Sequence, residues 1–308
     1  MSAPILTVTL NAALDIGART QRLVPRAKLR CEDVRYSPGG GGLNVARVLH
    51  RLDCRVHALY AAGGSSGDHI EQLLADEGVS AERVTVAGET RSNLSVVDNS
   101  TSEEYRFVLP GPPLSATEWR TIQDRIETLC PAGGHLVASG SLPAGAPEDA
   151  YAQLAGIAKT RSCRYVLDTA GKPLLAALRV GVHTVKPSRG ELLAATGADD
   201  LDAAIRIARQ WIAAGRVERV AVSLGDQGAR LLTTEGVWAI AATQQKTTTT
   251  LGAGDAFLAG LVAADLRGLA AEQSLETAAA VAACAVADRS FHAVSPAAVP
   301  ALSSKRHW

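Results

Sequence analysis

The chain has 308 residues, 47% of them hydrophobic and 20% charged, the composition of an ordinary folded protein rather than a disordered or fibrous one. Lysine plus arginine number 31 and aspartate plus glutamate 31, with the signs interspersed, so no charge excess points to nucleic acid or to a membrane. The five cysteines include no C-x-x-C pair and the seven histidines no H-E-x-x-H, so reduced thiols, a cytoplasmic location and no zinc site are expected.

The N-terminal stretch MSAPILTVTLNAALD lacks the basic-then-apolar order of a signal peptide. Ile5–Leu10 predicts a buried first strand, and Asp15 follows shortly after it. Ligands of open parallel sheets gather at the carboxyl ends of strands, which makes Asp15 a candidate site residue; a turn or cap is the plain alternative. Residues 16–37 alternate between polar and apolar, and so do Ser92–Asp98 and Glu104–Leu109. These segments predict one small sheet outside the main one, which cannot bury an apolar face unaided.

Ser37–Arg47 carries four consecutive glycines running into a helix with Leu43, Val45, Ala46, Val48, Leu49 and Leu52. Bare backbone lets a ligand lie against it, and Asn44 offers a donor and an acceptor from the first turn. A Rossmann dinucleotide loop is the rival, but G-x-G-x-x-G is not met and no strand is expected immediately before the glycines. From Arg55 onward strand and helix alternate: strands at Val56–Tyr60, Leu136–Gly140, Arg164–Asp168 and Val217–Ser223, and a helix at Gly67–Glu77. This order predicts a parallel sheet covered by helices on both faces. Ser139 sits at one strand end, on the ligand side. Lys186 and Glu191 follow another and suit phosphates and hydrated magnesium, although a salt-bridged surface loop would look the same. Ser223–Gly228 is a glycine turn between strands. The longest apolar run, Ala278–Ala287, is too short to span a bilayer and belongs to a packed helix from Glu272 to Ala287. Lys305–Trp308 is expected to fray.

The most informative stretch is Thr247–Gly260, in which a polar, β-branched run ends in Gly252-Ala253-Gly254 and Asp255 follows. Small apolar residues then continue at helical spacing. Two glycines at a helix start expose backbone N–H groups to an anion. A carboxylate beside a phosphate cradle repels the ligand it flanks, unless it takes the proton of a hydroxyl attacking phosphorus. A structural Asp near a helix cap is the bland reading.

Taken in order, these sites resemble those of the PfkB (ribokinase-like) family of carbohydrate kinases, from Leu6 to about Leu302. The resemblance rests chiefly on Pro38–Arg47 and Leu251–Ala256, with support from Lys28–Cys31, Tyr105–Gly111, Ser139–Pro143 and Val222–Ala229. It looks most like the family's phosphosugar kinases of the minor 6-phosphofructokinase type. What it implies is an α/β fold: a three-layer sandwich with a mostly parallel central sheet and a small β lid. One kinase domain would span 1–308, with lid excursions at about 16–37 and 91–109.

The implied activity is ATP-dependent phosphorylation of fructose 6-phosphate, with tagatose 6-phosphate or fructose 1-phosphate as alternative acceptors. A non-catalytic sugar-phosphate sensor is the alternative of another class. Asp255 would be the catalytic base, and Gly252, Ala253 and Gly254 the anion hole. Asp15, Gly40, Gly41, Asn44 and Ser139 would hold the sugar; Arg91, Lys28 and Arg30 would meet its phosphate, as a guanidinium fork suits a phosphate better than a neutral sugar. Lys186, Ser188, Glu191, Ser223, Gly225 and Gly228 would serve ATP and magnesium, Glu191 through water. The family's Asn-Pro is Asn11-Ala12 here, and the Asn of its N-x-x-E motif is Ser188, a shorter side chain toward magnesium. A homodimer joined through the lid is expected, with Phe107 and Val34 on the shared face.

Overall fold

The computed structural model describes residues 4–242, 252–287, 291 and 293–299; the Thr247–Leu251 run and the Lys305–Trp308 tail lie outside them. Strand β1 (Ile5–Thr9) shows how the sequence builds the fold, because it is buried along its whole length. Leu6 and Val8 enter one hydrophobic core and Ile5 enters another on the opposite face. Side chains alternate across a strand, so a strand apolar on both faces needs helices on both. The other strands of this sheet are β4 (Val56–Ala62), β5 (Ala81–Thr85), β8 (His135–Ser139), β9 (Arg164–Asp168), β10 (Val182–Val185), β11 (Val217–Ser223), β12 (Ala229–Leu232) and β13 (Val237–Ile240). They form a nine-stranded sheet in the order β13-β12-β11-β10-β9-β8-β1-β4-β5, parallel except for the β11-β12-β13 edge.

Helices α3 (Ala116–Leu129), α4 (Ala150–Thr160), α5 (Gly171–Val180), α6 (Arg189–Thr196) and α7 (Leu201–Ala213) cover one face and share the core of Leu6 and Val8. The other face carries α1 (Gly41–Arg51), α2 (Gly64–Asp76), α8 (Ala253–Leu266) and α9 (Ala271–Ala287). The expected three-layer order is therefore present. Each fully buried Leu or Ile of these cores stabilises the fold by about 1.5–3 kcal/mol relative to its exposed state. From β1 the chain goes to β4 and β5 on one side and only later to β8 on the other. That reversal leaves a crevice at the carboxyl ends of β1 and β8, the usual ligand position in such sheets.

A second, four-stranded sheet has the order β3-β2-β6-β7, from β2 (Ala13–Thr20), β3 (Glu32–Gly39), β6 (Arg91–Asp98) and β7 (Glu104–Phe107). It is the expected small sheet. One expectation fails: β3 runs directly into the glycines, so a strand does precede them. Because β3 is antiparallel to β2 and outside the main sheet, this is still not the parallel β-α-β setting of a dinucleotide loop. In β3, Glu32–Tyr36 is exposed on both faces, so the alternation of residues 16–37 does not correspond there to one covered and one wet side.

Helix α8 is buried nearly all round, from Ala256 to Ala264, and lies against α9. Gly260 allows this approach: a Cβ there would stand 2.6 Å from the Cα of Ala278. Gly260→Ala gains up to about 1 kcal/mol of helix propensity, but forcing the helices apart costs about 1–3 kcal/mol. Denaturant unfolding should therefore show a net loss of stability; a gain would mean that the two helices are not in backbone contact.

Candidate active site

The glycine loop and the start of α8 meet over the crevice. A Cβ on Gly41 would collide with Oγ of Ser139 and come within 3.0 Å of Oδ1 of Asp255. Gly42 is pressed against the carbonyl of Val8, so α1 rests on the β1 backbone. Gly40 has φ +109°, a conformation open to glycine and strained for other residues. Small residues are thus required here by space as well as by backbone shape.

Asp255 is in the first turn of α8. Asn44 Nδ2 donates to its Oδ2 at 2.9 Å, and Ser139 Oγ to its Oδ1 at a long 3.4 Å. The same hydroxyl is 3.5 Å from Asp168 Oδ2 at the end of β9. Lys186, 5% exposed, pairs with Asp168 at 3.2 Å. A Cβ on Gly254 would stand 3.5 Å from its ammonium, so that charge lies beside the helix start. The first intrahelical bond of α8 runs from Ala256 N to Gly252 O, which leaves the N–H groups of Ala253, Gly254 and Asp255 without intrahelical acceptors. Three N–H groups, a helix dipole and one ammonium form an arrangement that can receive an anion.

The electrostatics are unusual. Asp255 keeps some contact with solvent, yet it lies deep among protein atoms. Desolvation, then repulsion from Asp168, push its carboxyl up to about 7, against the pull of Asn44, Lys186 and Ser139. Asp168 is also raised, mainly by burial, with Lys186 opposing. Burial works against the Lys186 ammonium, but Asp168 and Asp255 outweigh it and its pKa is raised, so it is charged at neutral pH.

On the small sheet, Asp15 accepts from Asn93 Nδ2 at 2.8 Å and lies against the backbone of Gly39. Burial raises its pKa, opposed by Asn93, Arg91 and Arg106. Arg91 heads β6 beside Ala13, and its guanidinium donates to the carbonyls of Asn11 at 3.0 Å and Leu109 at 3.2 Å. Among the described residues its buried Nε finds no hydrogen-bond partner, so this donor can serve an incoming anion.

Ser188 and Glu191 form a capping box at the start of α6, with Ser188 Oγ accepting from Glu191 N and Glu191 Oε2 from Ser188 N. Ser223 lies beside them, bridged to Ser188, and Gly225 and Gly228 form the adjoining turn. Lys186 is buried, so this is not a surface salt-bridge loop.

Lys28 and Arg30 stand apart. They are exposed in the connection between β2 and β3, at the end of β2 away from Asp15 and roughly 17 Å along the strand. Within one chain they do not join the site. Conversely, Asp168, Asn93 and Arg47 belong to the cluster although the sequence assigns none of them a role; Arg47 only closes the Pro38–Arg47 stretch. Asp168 ends a parallel strand, the position at which ligands gather in such sheets.

Residues 8–298 match the family described as pfkB family carbohydrate kinase. ATP-dependent 6-phosphofructokinase isozyme 2 of Mycobacterium tuberculosis is 38% identical over 86% of this chain and 78% of its own length. The 1-phosphofructokinase of Xanthomonas campestris pv. campestris is also 38% identical, over 86% of this chain and 85% of its own. Among solved structures, phosphofructokinase-2 from Escherichia coli in complex with potassium superposes with a TM-score of 0.91, at 32% identity, covering 98% of both chains. The tetrameric inhibited form of that enzyme superposes with a TM-score of 0.89 at the same identity, covering 98% of this chain and 99% of its own.

The raised pKa of Asp255 has a consequence for stability. The folded protein holds this proton more tightly than the unfolded chain, so stability is full below about 3.8 and is lost as pH rises toward about 7. Asp255→Asn removes that loss. Its melting temperature should exceed that of the unaltered protein at pH 8, and the gain should shrink as pH falls from 7 to 4. A constant difference across this range would show that the carboxyl is not strained by burial.

Proposed function

This chain belongs to the pfkB family of carbohydrate kinases, and we propose on that premise that it transfers the terminal phosphate of ATP to fructose 6-phosphate, forming fructose 1,6-bisphosphate. The observation that carries the chemistry is Asp255, a carboxylate with a pKa near 7 at the mouth of an anion-binding helix start. A base is most effective when its pKa is close to the working pH. The sugar oxygen forms the new bond to the γ-phosphorus as the bond from phosphorus to the ADP oxygen breaks. The hydroxyl proton passes to Asp255, and the N–H groups of residues 253–255 together with Lys186 meet the charge on the transferring group. Asn44 and Ser139 hold the carboxylate toward the sugar, while Asp15 and the backbone of Gly40 and Gly41 take up sugar hydroxyls. An idle sensor would have no use for this base, and the relatives are kinases.

Magnesium is implied by the family. Among the described residues no cluster of three His, Cys, Asp or Glu side chains could hold a metal alone. That fits an ion carried chiefly by nucleotide phosphates and waters, with one or two carboxylates beside it. Asp168 and Glu191 would supply these, both close enough to influence Lys186. When bound, the ion would neutralise phosphate charge. Ser188, whose Oγ already accepts from Glu191 N, would reach the ion's outer shell only through water.

Arg91 is the candidate for the phosphate already on the sugar, through its Nε, which has no hydrogen-bond partner among the described residues. A second reading, with fructose 1-phosphate as acceptor, is favoured by the equal identity to the Xanthomonas enzyme. A coupled ADP-release assay across fructose 6-phosphate, fructose 1-phosphate, tagatose 6-phosphate and the free sugars separates these. Fructose 6-phosphate should have the highest kcat/KM, and free fructose as best substrate would overturn the phosphosugar reading. In the same assay Asp255→Asn should lower turnover by about two to four orders of magnitude with substrate binding retained. A loss of only a few-fold would return Asp255 to a capping role.

The remote position of Lys28 and Arg30 is explained if they serve the site of a second copy. By register Leu94, Phe107 and Tyr36 share one face of the small sheet, and Phe107 and Val34 are 51% and 50% exposed. Pairing two such sheets would cover these side chains and bring the basic loop of each chain to its partner. Phe107→Asp should shift the protein toward monomer in sedimentation and raise KM for the phosphosugar together, because a buried unpaired carboxylate costs several kcal/mol. A monomer with full activity would refute the shared site.

A further inference from the structure

Arg47, one turn beyond Asn44 on α1, is 2% exposed, a rare position for a guanidinium. Glu77 takes it bidentately, Nε to Oε2 at 2.7 Å and Nη2 to Oε1 at 2.6 Å. That pair uses one edge of the fork. The remaining nitrogen, Nη1, turns the other way, to the Pro38 carbonyl at 3.3 Å and to Asn44 Oδ1 at 3.4 Å. An amide whose oxygen faces a cation must point its NH2 away, and Asn44 Nδ2 donates to Asp255. The guanidinium carbon also lies 5.0 Å from the centroid of the Phe291 ring. Phe291 in turn faces Gly252: a Cβ there would come within 2.7 Å of the ring. Gly252 is the left-handed N-cap of α8, at φ +75°.

One buried cation therefore touches the glycine loop at Pro38, fixes which end of Asn44 meets Asp255, and backs the ring on which the helix start rests. We propose that Arg47 is a positioning residue that locks the Asn44 amide and seats the Gly252 turn around Asp255. This rests on the reading of Asp255 as the base only for its kinetic consequence; the geometric lock stands on its own contacts. The fork is what matters, because a lysine at this position has a single nitrogen for four acceptors and a ring.

The lock is tested on the Asp255 carboxyl directly, by carbon-13 NMR titration, with the resonance assigned by its loss in Asp255→Asn. Removing Arg47 frees Asn44 to turn, Asp255 loses a donor to its ionised form, and its pKa should rise. In Arg47→Met the titration should move up by about 0.5–1 unit. In the coupled assay kcat should fall about 10- to 100-fold, the scale of a misplaced catalytic group. In an Asn44→Ala background, adding Arg47→Met should move the carboxyl no further, since the two act through one contact. Ile126→Ala, a core cavity on the other face of the sheet, should lower the melting temperature and leave the titration in place. If Arg47→Met folds poorly, Arg47→Met/Glu77→Gln removes the stranded carboxylate and is read in the same way. An unmoved Asp255 resonance in a folded Arg47 variant, or a full shift persisting in the Asn44→Ala background, would overturn the proposal. If Asp255→Asn keeps its turnover while Arg47→Met still shifts the carboxyl, the base assignment fails and the lock holds.

Discussion

Asp255 and Asp168 share one serine hydroxyl and one lysine in a notch that admits little water, and this crowding of like charges sets the demands on everything around it. Two carboxylates so placed cannot both ionise freely, and Lys186 offsets only part of the repulsion. The result is a carboxyl balanced near neutral pH, able to accept a proton and to release it. The glycines follow from the same demand. Side chains at residues 41 and 254 would fill the space in which Asp255, Ser139 and Lys186 meet.

The fold supplies this notch by bringing together elements far apart in sequence. Ser139, Asp168, Lys186 and Ser223 come from the carboxyl ends of neighbouring strands, so parallel pairing places them on one edge of the sheet. Helix α8 meets that edge with its N-terminus, the end that favours an anion. Its partner α1 brings Asn44 to the same point, and the contact of Gly42 with the β1 carbonyl fixes how deeply α1 sits. The small sheet closes the crevice from outside with Asp15 and Arg91. Stability is given up for this arrangement, since a carboxyl with a raised pKa opposes folding at neutral pH.

Residues that announce themselves through local chemistry were legible. Gly40–Asn44 and Gly252–Asp255 combine required glycines with a helix start, and both are where the strand-end rule expected ligands. Other members of the site have no such signature. Asp168 is one acidic residue closing an ordinary strand. Arg47 reads as a polar interruption of an apolar helix, and only the approach of Glu77 and Phe291 shows why a cation is tolerated there. Lys28 and Arg30 match a family pattern, yet their own chain carries them away from Asp15.

Periodicity and backbone chemistry act over a few residues, so the sequence by itself determined the alternation of strand and helix, the glycine-opened helix starts and the alternating segments of a second sheet. Desolvation and charge coupling act through space between residues 211 positions apart, such as Asn44 and Asp255. Only the tertiary structure decided that Asp255 would be pushed toward 7 while Lys186 stays charged, because both depend on which groups burial has brought within reach. The side on which the basic loop would act was decided there too, by the length of β2 and not by any residue in the loop.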